Sequence, residues 1–312
     1  MHIKKKDKIF IAGHKGMVGS AIMKKFLQLG YKNIVVVEKK KLNFIEQKKV
    51  FSFLKKIKPD LVIIAAAKVG GINANFKNKS LFLYENLQIQ NNIIHGSYLA
   101  GVKDLIFLGS SCIYPKFSKQ PIKEKYLLTG SLEKTNDAYA IAKIAGLVMC
   151  ENYSKNYSLN YKSFMPSNMY GPNDNYNIEN SHFFPALIRK IYEAKIYNKK
   201  KITLWGNGKP LRELLYVEDF AEAVVYFSKK KIKEPFLNIG SGKDYSIEWY
   251  AKLIMKIIGV NLKIQYDKSK PNGVMRKLLD ITAAKKYGWQ SKVSLENGIK
   301  KTIYEFKKGF RE

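Results

Sequence analysis

Short uninterrupted apolar runs alternate along this chain with longer stretches in which apolar positions recur every three or four residues. The first run, residues 8–12, ends at Gly13. Residues 17–29 then place Val18, Ile22, Phe26 and Leu29 on one helical side, and Gly30 closes the stretch. The unit repeats, predicting strands at 33–37, 60–66 and 105–108 and helices at 46–57, 86–101 and 137–153. Strands without polar alternation are buried on both faces, and helical crossovers join parallel neighbours. The expected fold is therefore α/β, a doubly wound parallel sheet of Rossmann type.

Past Gly171-Pro172 the pattern changes to a polar stretch rich in Asn and Tyr, followed by a basic helix predicted at 185–196. A strand at 214–217, a helix from Asp219 and a strand at 236–240 read as a return to the sheet. This divides the chain into a Rossmann domain, 1–175 plus 213–250, and a smaller, mainly helical C-terminal substrate-binding domain, 176–212 plus 251–312.

Composition narrows the class. With 46% hydrophobic and 26% charged residues over 312 positions, disordered and collagen-like chains are excluded. The 56 Lys and Arg against 25 Asp and Glu give a net charge of +31, which taken alone suggests nucleic acid, an anionic membrane surface or an anionic substrate. Only Arg189, Arg212, Arg276 and Arg311 are arginines, and the lysines spread over the whole length. Nucleic-acid interfaces favour clusters and arginine forks. The charge thus reads as a lysine-coated surface that attracts anions, with no specific nucleic-acid partner. Cys112 and Cys150 match no metal-ligand spacing, the N-terminal apolar stretch is too short for a signal peptide, and no run is long enough to span a membrane. A cytoplasmic protein without a metal site is the expectation.

Gly13-His14-Lys15-Gly16-Met17-Val18-Gly19 follows the first strand and opens the first helix. In that context glycines permit a tight turn, close approach of backbone to a pyrophosphate, and close helix packing, and the helix start offers free amides. At the end of the second strand Glu38 suits the ribose hydroxyl of NAD, whereas Lys39, Lys40 and Lys41, with Lys15, suit the phosphate of NADP. NADP is favoured, and a nucleotide-sugar 4-epimerase with tightly held NAD stands as the alternative. Tyr139 and Lys143 lie four residues apart on one helix face. A cation there lowers the phenol pKa and makes it a usable proton donor for carbonyl reduction. Ser110, at a strand end upstream, is placed to hold the same carbonyl oxygen. His2 and His95 stand in no such grouping. A non-enzymatic nucleotide sensor or RNA binder is the reading from another class, motivated only by the charge.

The glycine loop, the strand-end serine and Tyr-x-x-x-Lys resemble the extended short-chain dehydrogenase/reductase family of nucleotide-sugar epimerases, dehydratases and reductases. Finer blocks extend the likeness from about residue 8 to the C-terminus: 65–72, Leu108-Gly109-Ser110-Ser111-Cys112-Ile113-Tyr114-Pro115, Met165-Pro166-Ser167-Asn168-Met169-Tyr170-Gly171-Pro172, 181–187 and Ser269-Lys270-Pro271-Asn272-Gly273. The resemblance implies conversion of GDP-4-keto-6-deoxy-D-mannose to GDP-L-fucose, by epimerisation at C3 and C5 and NADPH-dependent reduction at C4. It implies Cys112 and His182 as the acid–base pair for epimerisation, Tyr139 as the proton donor in reduction with Ser110 beside it, and Lys143 on the nicotinamide ribose. Leu108 to Ser111, Pro166, Ser167, Asn168, Met169 and His182 are implied to line the cofactor. Lys190, Trp205, Arg212 and Asn272 are the implied contacts of the GDP-sugar. A homodimer, paired through the Tyr139 helix, follows from the same likeness.

Overall fold

The computed structural model describes residues 3–310 apart from Glu179 and Pro271; His2, Pro271 and Arg311 fall outside. The first half runs β1 (Ile9–Ala12), α1 (Met17–Gln28), β2 (Ile34–Val35), α2 (Gln47–Ile57), β3 (Leu61–Ile64), α3 (Ile72–Lys77), α4 (Lys79–Leu99), β4 (Asp104–Leu108), α5 (Asp137–Tyr157) and β5 (Asn160–Pro166). It continues through β6 (Asn168–Tyr170), α6 (Phe183–Ile196), β7 (Lys201–Trp205), β8 (Leu211–Tyr216), α7 (Val217–Ser228) and β9 (Phe236–Ile239). The last elements are β10 (Asp244–Ser246), α8 (Ile247–Ile258), β11 (Lys263–Asp267), β12 (Arg276–Lys277), α9 (Thr282–Lys286) and α10 (Leu295–Gly309).

Six parallel strands form the main sheet in the order β2-β1-β3-β4-β5-β9. Neighbouring residues on a strand face opposite ways, and both faces are covered. Phe10 and Ala12 pack with Val62, Ile93 of α4 and Leu147 of α5. Ile9 and Ile11 pack on the other side with Ile22 and Phe26 of α1 and Phe220 and Val224 of α7. Each of the larger of these side chains contributes about 1.5–3 kcal/mol on leaving water. The strand order reverses between β1 and β3, and the crevice beyond their C-terminal ends is where sheets of this kind bind ligands.

Three expectations need correction. Residues 214–217 do not return to the main sheet: β8 belongs to a smaller sheet, β10-β8-β12, and also pairs with β6. The place beside β5 is taken by β9, as the strand at 236–240 predicts, and Leu214 and Tyr216 instead join a third core with α6, α8 and α10. Helix α4 begins at Lys79, after a short α3, rather than at residue 86. Its buried face includes Asn86, Gln90, Asn92 and Ser97, so polarity hides its period. Asn86 brackets the backbone of Lys68 after β3, and Asn92 donates to the carbonyls of Phe44 and Ile45. Finally, α5 runs four residues past 153. The smaller unit also holds the parallel pair β7 and β11 beside its helices.

Candidate active site

The glycine loop sits at the switch point. Gly13 has φ +90°, and a Cβ on it would lie 2.6 Å from the backbone nitrogen of Ala66, so only glycine lets β1 turn this close to β3. A Cβ on Gly19 would meet the Gly13 carbonyl at 2.2 Å, which fixes how α1 seats on the turn. Gly16 meets nothing closer than 3.6 Å; it is the N-cap of α1, with no side-chain cap bond. The amides at the start of α1, Met17 and Val18 included, thus face the crevice beside backbone that a phosphate can approach. These residues fit a dinucleotide. His14 and Lys15 flank the turn, and Lys15 pairs with Glu38 at 2.8 Å. That hydrogen bond, with the Lys15 charge, holds the Glu38 carboxyl below its ordinary range. The carboxylate is thereby offset, while Lys39 and Lys40 stand exposed in the following turn.

At the end of β4, Ser110 caps a short 3-10 turn (Ser111–Ile113), its Oγ accepting from the Cys112 amide at 3.2 Å. The Tyr139 phenol faces the same hydroxyl, which favours its ionised form. Lys143, one turn along α5, is buried and donates from Nζ to the Leu108 carbonyl at 2.8 Å, beneath the Tyr139 ring with its Nζ 5.8 Å from the centroid. Burial pulls Lys143 down to about 7. Burial likewise pushes the Tyr139 phenol above its ordinary value, with a smaller contribution from Cys112 that the Ser110 bond opposes. The expected depression of the phenol by Lys143 is corrected: the cation is not among the influences on it, and burial dominates and raises it. Met165 packs where a Gly109 side chain would stand, only 2.4 Å from its Cβ position, so β4 and β5 end side by side. Ser167 follows, its amide bonded to Ile239 and its buried Oγ without a partner among the described residues, and Asn168 donates to the Glu213 carbonyl. Met169 packs against the core behind them.

Cys112 has neighbours that the sequence pattern does not disclose. Asn136, the N-cap of α5, donates from Nδ2 to Sγ at 3.2 Å, and Lys277 of β12 donates from Nζ at 3.3 Å. Burial opposes ionisation of the thiol, yet Lys277, the Ser110 bond and Arg212 together bring its pKa below the ordinary value. Cys150, by contrast, sits in the core and burial pushes it up to about 12. His182 is the N-cap of α6. Dehydration in the cleft and then the Lys277 charge lower its pKa. The loop before it is seated on Gly71, whose amide donates to Asn180 and whose Cβ would fall 2.2 Å from the Ser181 carbonyl.

The four substrate candidates form a rim that reaches the Cys112 thiol through Arg212. Arg212 donates to its neighbour's carbonyl and to that of Asn272; Asn272 accepts from the Asn207 amide with Oδ1 at 2.9 Å. Trp205 lies one residue before Gly206, and the Lys190 ammonium stands 5.7 Å from its ring centroid. A cavity of about 500 Å³ opens beside Asn207 and Asn272, with Lys209 and Lys268 on its wall. Cations and an indole face are what a diphosphate and a flat ring require. Asn272 itself is spent on holding the turn at 206–207.

Residues 9–240 match the NAD dependent epimerase/dehydratase family. The chain is 48% identical over 298 residues to GDP-L-fucose synthase 1 of Arabidopsis thaliana, covering 96% of this chain and 92% of that one. It is 44% identical to the GDP-L-fucose synthase of Escherichia coli strain K12, covering 96% and 97%. Among solved structures, a GDP-L-fucose synthetase from Naegleria fowleri bound to NADP superposes with a TM-score of 0.90 at 27% identity, covering 99% of this chain and 95% of that one. With its glycine loop at the switch point and serine, tyrosine and lysine at the next strand end, the chain belongs to the NAD dependent epimerase/dehydratase family.

Proposed function

We propose that the chain converts GDP-4-keto-6-deoxy-D-mannose to GDP-L-fucose, using NADPH. The observation that carries this reading is the meeting of Cys112 and Tyr139 at one serine: Ser110 Oγ accepts from the Cys112 amide and faces the Tyr139 phenol. A simple carbonyl reductase has use for Ser110, Tyr139 and Lys143, but none for a thiol held between Asn136 and Lys277.

C3 and C5 both lie next to the C4 ketone, so a proton on either carbon is removable by a modest base. Cys112 takes that proton as thiolate, and His182 returns one to the opposite face. A lowered imidazole pKa makes His182 the stronger acid but leaves fewer molecules carrying its proton as pH rises. NADPH, when bound, supplies the hydride for C4. Ser110 holds the C4 oxygen and Tyr139 delivers its proton there, a donor kept protonated by burial until the oxygen becomes an alkoxide. Lys143, anchored on Leu108, supports the phenol from below and holds the nicotinamide ribose. Gly13 to Gly19 cradle the pyrophosphate, and Lys15, Lys39 and Lys40 select the extra phosphate of NADP. Leu108 to Ser111 and Pro166 to Met169 wall the nicotinamide side. Arg212, Lys190 and Trp205 take the GDP portion on the smaller unit, at 176–212 plus 251–312. Purified protein is expected to oxidise NADPH with GDP-4-keto-6-deoxy-D-mannose, and far less NADH, with no turnover of the matching dTDP-keto sugar. Folded protein that binds NADPH yet leaves every sugar unreduced would overturn the reading.

Two further parts of the proposal concern assembly and place. Helices α4 and α5 pack together and leave Leu81, Tyr84 and Leu99 of one and Ile141 and Val148 of the other exposed, which supports a homodimer through that helix pair. Ile141→Glu is expected to convert the dimer to monomer in sedimentation velocity. Both cysteines are free, which suits a reducing cytoplasm, and among the described residues no helix is long and apolar enough to cross a membrane.

A further inference from the structure

We propose that Lys277 is the charge partner that holds Cys112 as a thiolate, and that Gln120 and Glu213 fix Lys277 in position for it. The geometry at the sulfur argues for this. Two N–H donors, from Asn136 on α5 and Lys277 on β12, converge on one Sγ at 3.2 and 3.3 Å. An ammonium has no lone pair to accept from a thiol. Sulfur must therefore be the acceptor of both, and a thiolate accepts far better than a thiol.

Lys277 is held by backbone bonds on both sides. The Gln120 carboxamide acts as a surrogate strand, donating to the Arg276 carbonyl at 3.1 Å and accepting from the Leu278 amide at 2.9 Å. Glu213, 0% exposed, accepts from the Leu279 amide at 2.9 Å and from the Gly242 amide at 2.7 Å. Parallel pairing of β12 with β8 sets Lys277 opposite Arg212, so two cations approach Cys112 from the small sheet. From α5 it faces the Tyr139 phenol, neutral at physiological pH. Glu133 lines the small cavity behind the sulfur with Lys116, Asn136 and Lys277, but its carboxylate is paired with Lys116 at 3.1 Å. His182, across the site, also feels the Lys277 charge, and among the described residues no carboxylate is paired with Lys277.

This rests on assigning Cys112 to proton transfer, but its test needs no sugar. Iodoacetamide alkylation of Cys112 in the ligand-free protein is followed against pH by peptide mass spectrometry, which reads buried Cys150 separately. Wild type should show a midpoint below the ordinary thiol value of about 8.5. Lys277→Met should raise the midpoint by about one unit or more, slowing alkylation at pH 7 about tenfold, while Lys277→Arg should stay near wild type. A midpoint unmoved in the Met variant, or moved equally by Arg, would overturn the proposal. If the Met variant does not fold, a wild-type midpoint at or above 8.5 overturns it alone. An active enzyme with an ordinary thiol would fault Lys277; a low midpoint with no turnover of the sugar would fault the reaction instead.

Discussion

Tyr139→Phe is expected to cut NADPH oxidation by about a hundred- to ten-thousandfold, the range for removing a general acid, while solvent deuterium still enters C3 and C5. The substitution deletes one hydroxyl and keeps the ring that lies above Lys143. Burial holds the phenol above its ordinary pKa, so at neutral pH the side chain carries no charge to lose. Cys112 consequently keeps its surroundings: Asn136, Lys277 and Ser110 remain. What disappears is the proton that must reach the C4 oxygen once hydride has added. A loss of about 3–5 kcal/mol in the reductive step alone would show as normal isotope uptake, by NMR or mass, with stalled NADPH absorbance. Equal loss of uptake and oxidation would mean that Tyr139 also serves epimerisation, and would end the division of roles.

Strands β1 to β4 and β9 are readable from the chain because they are short and mostly apolar, with glycine closing β1 at Gly13 and β4 at Gly109, and because the crossover helices between them carry apolar periods; β5 is not anticipated, since Asn160, Lys162 and Ser163 interrupt its apolar positions. The reductive half of the site is readable for a related reason: Tyr139 and Lys143 are one helical turn apart, and Ser110 ends the preceding strand. Helix α4 is less legible, since Asn86, Gln90, Asn92 and Ser97 face inward to tie down neighbouring loops and erase the apolar stripe. Residues 211–216 look like any buried strand, and nothing local says that β9 fills the place they would suit. Lys277 is the hardest case. It is one of many lysines, in a strand of two residues, 165 positions from Cys112. The pairing of β12 with β8 places it at the sulfur, and the side chains that bond to that segment, Gln120 and Glu213, carry no motif. Local chemistry is thus legible, and chemistry assembled across the two sheets is not.

Cys112→Ser should produce the opposite separation. Serine nearly preserves the volume and still accepts from Asn136 and Lys277, but its hydroxyl is too weak an acid to exist as an anion at neutral pH, so the base is lost without loss of shape. Thiol ionisation here is favoured by Lys277, Ser110 and Arg212 against burial, and the same surroundings cannot bring an alcohol into range. Deuterium uptake at C3 and C5 is expected to fall by about a hundred- to ten-thousandfold. Ser110, Tyr139 and Lys143 stay in place, so the keto sugar remains reducible, and its product should keep the substrate's configuration at C3 and C5, as proton NMR couplings would report. Coupled loss of reduction would show that hydride transfer requires the epimerised sugar, making Cys112 the gate of the whole sequence. Undiminished uptake would remove Cys112 from the chemistry and leave His182, at the N-terminus of α6, as the proton-transfer residue to test next.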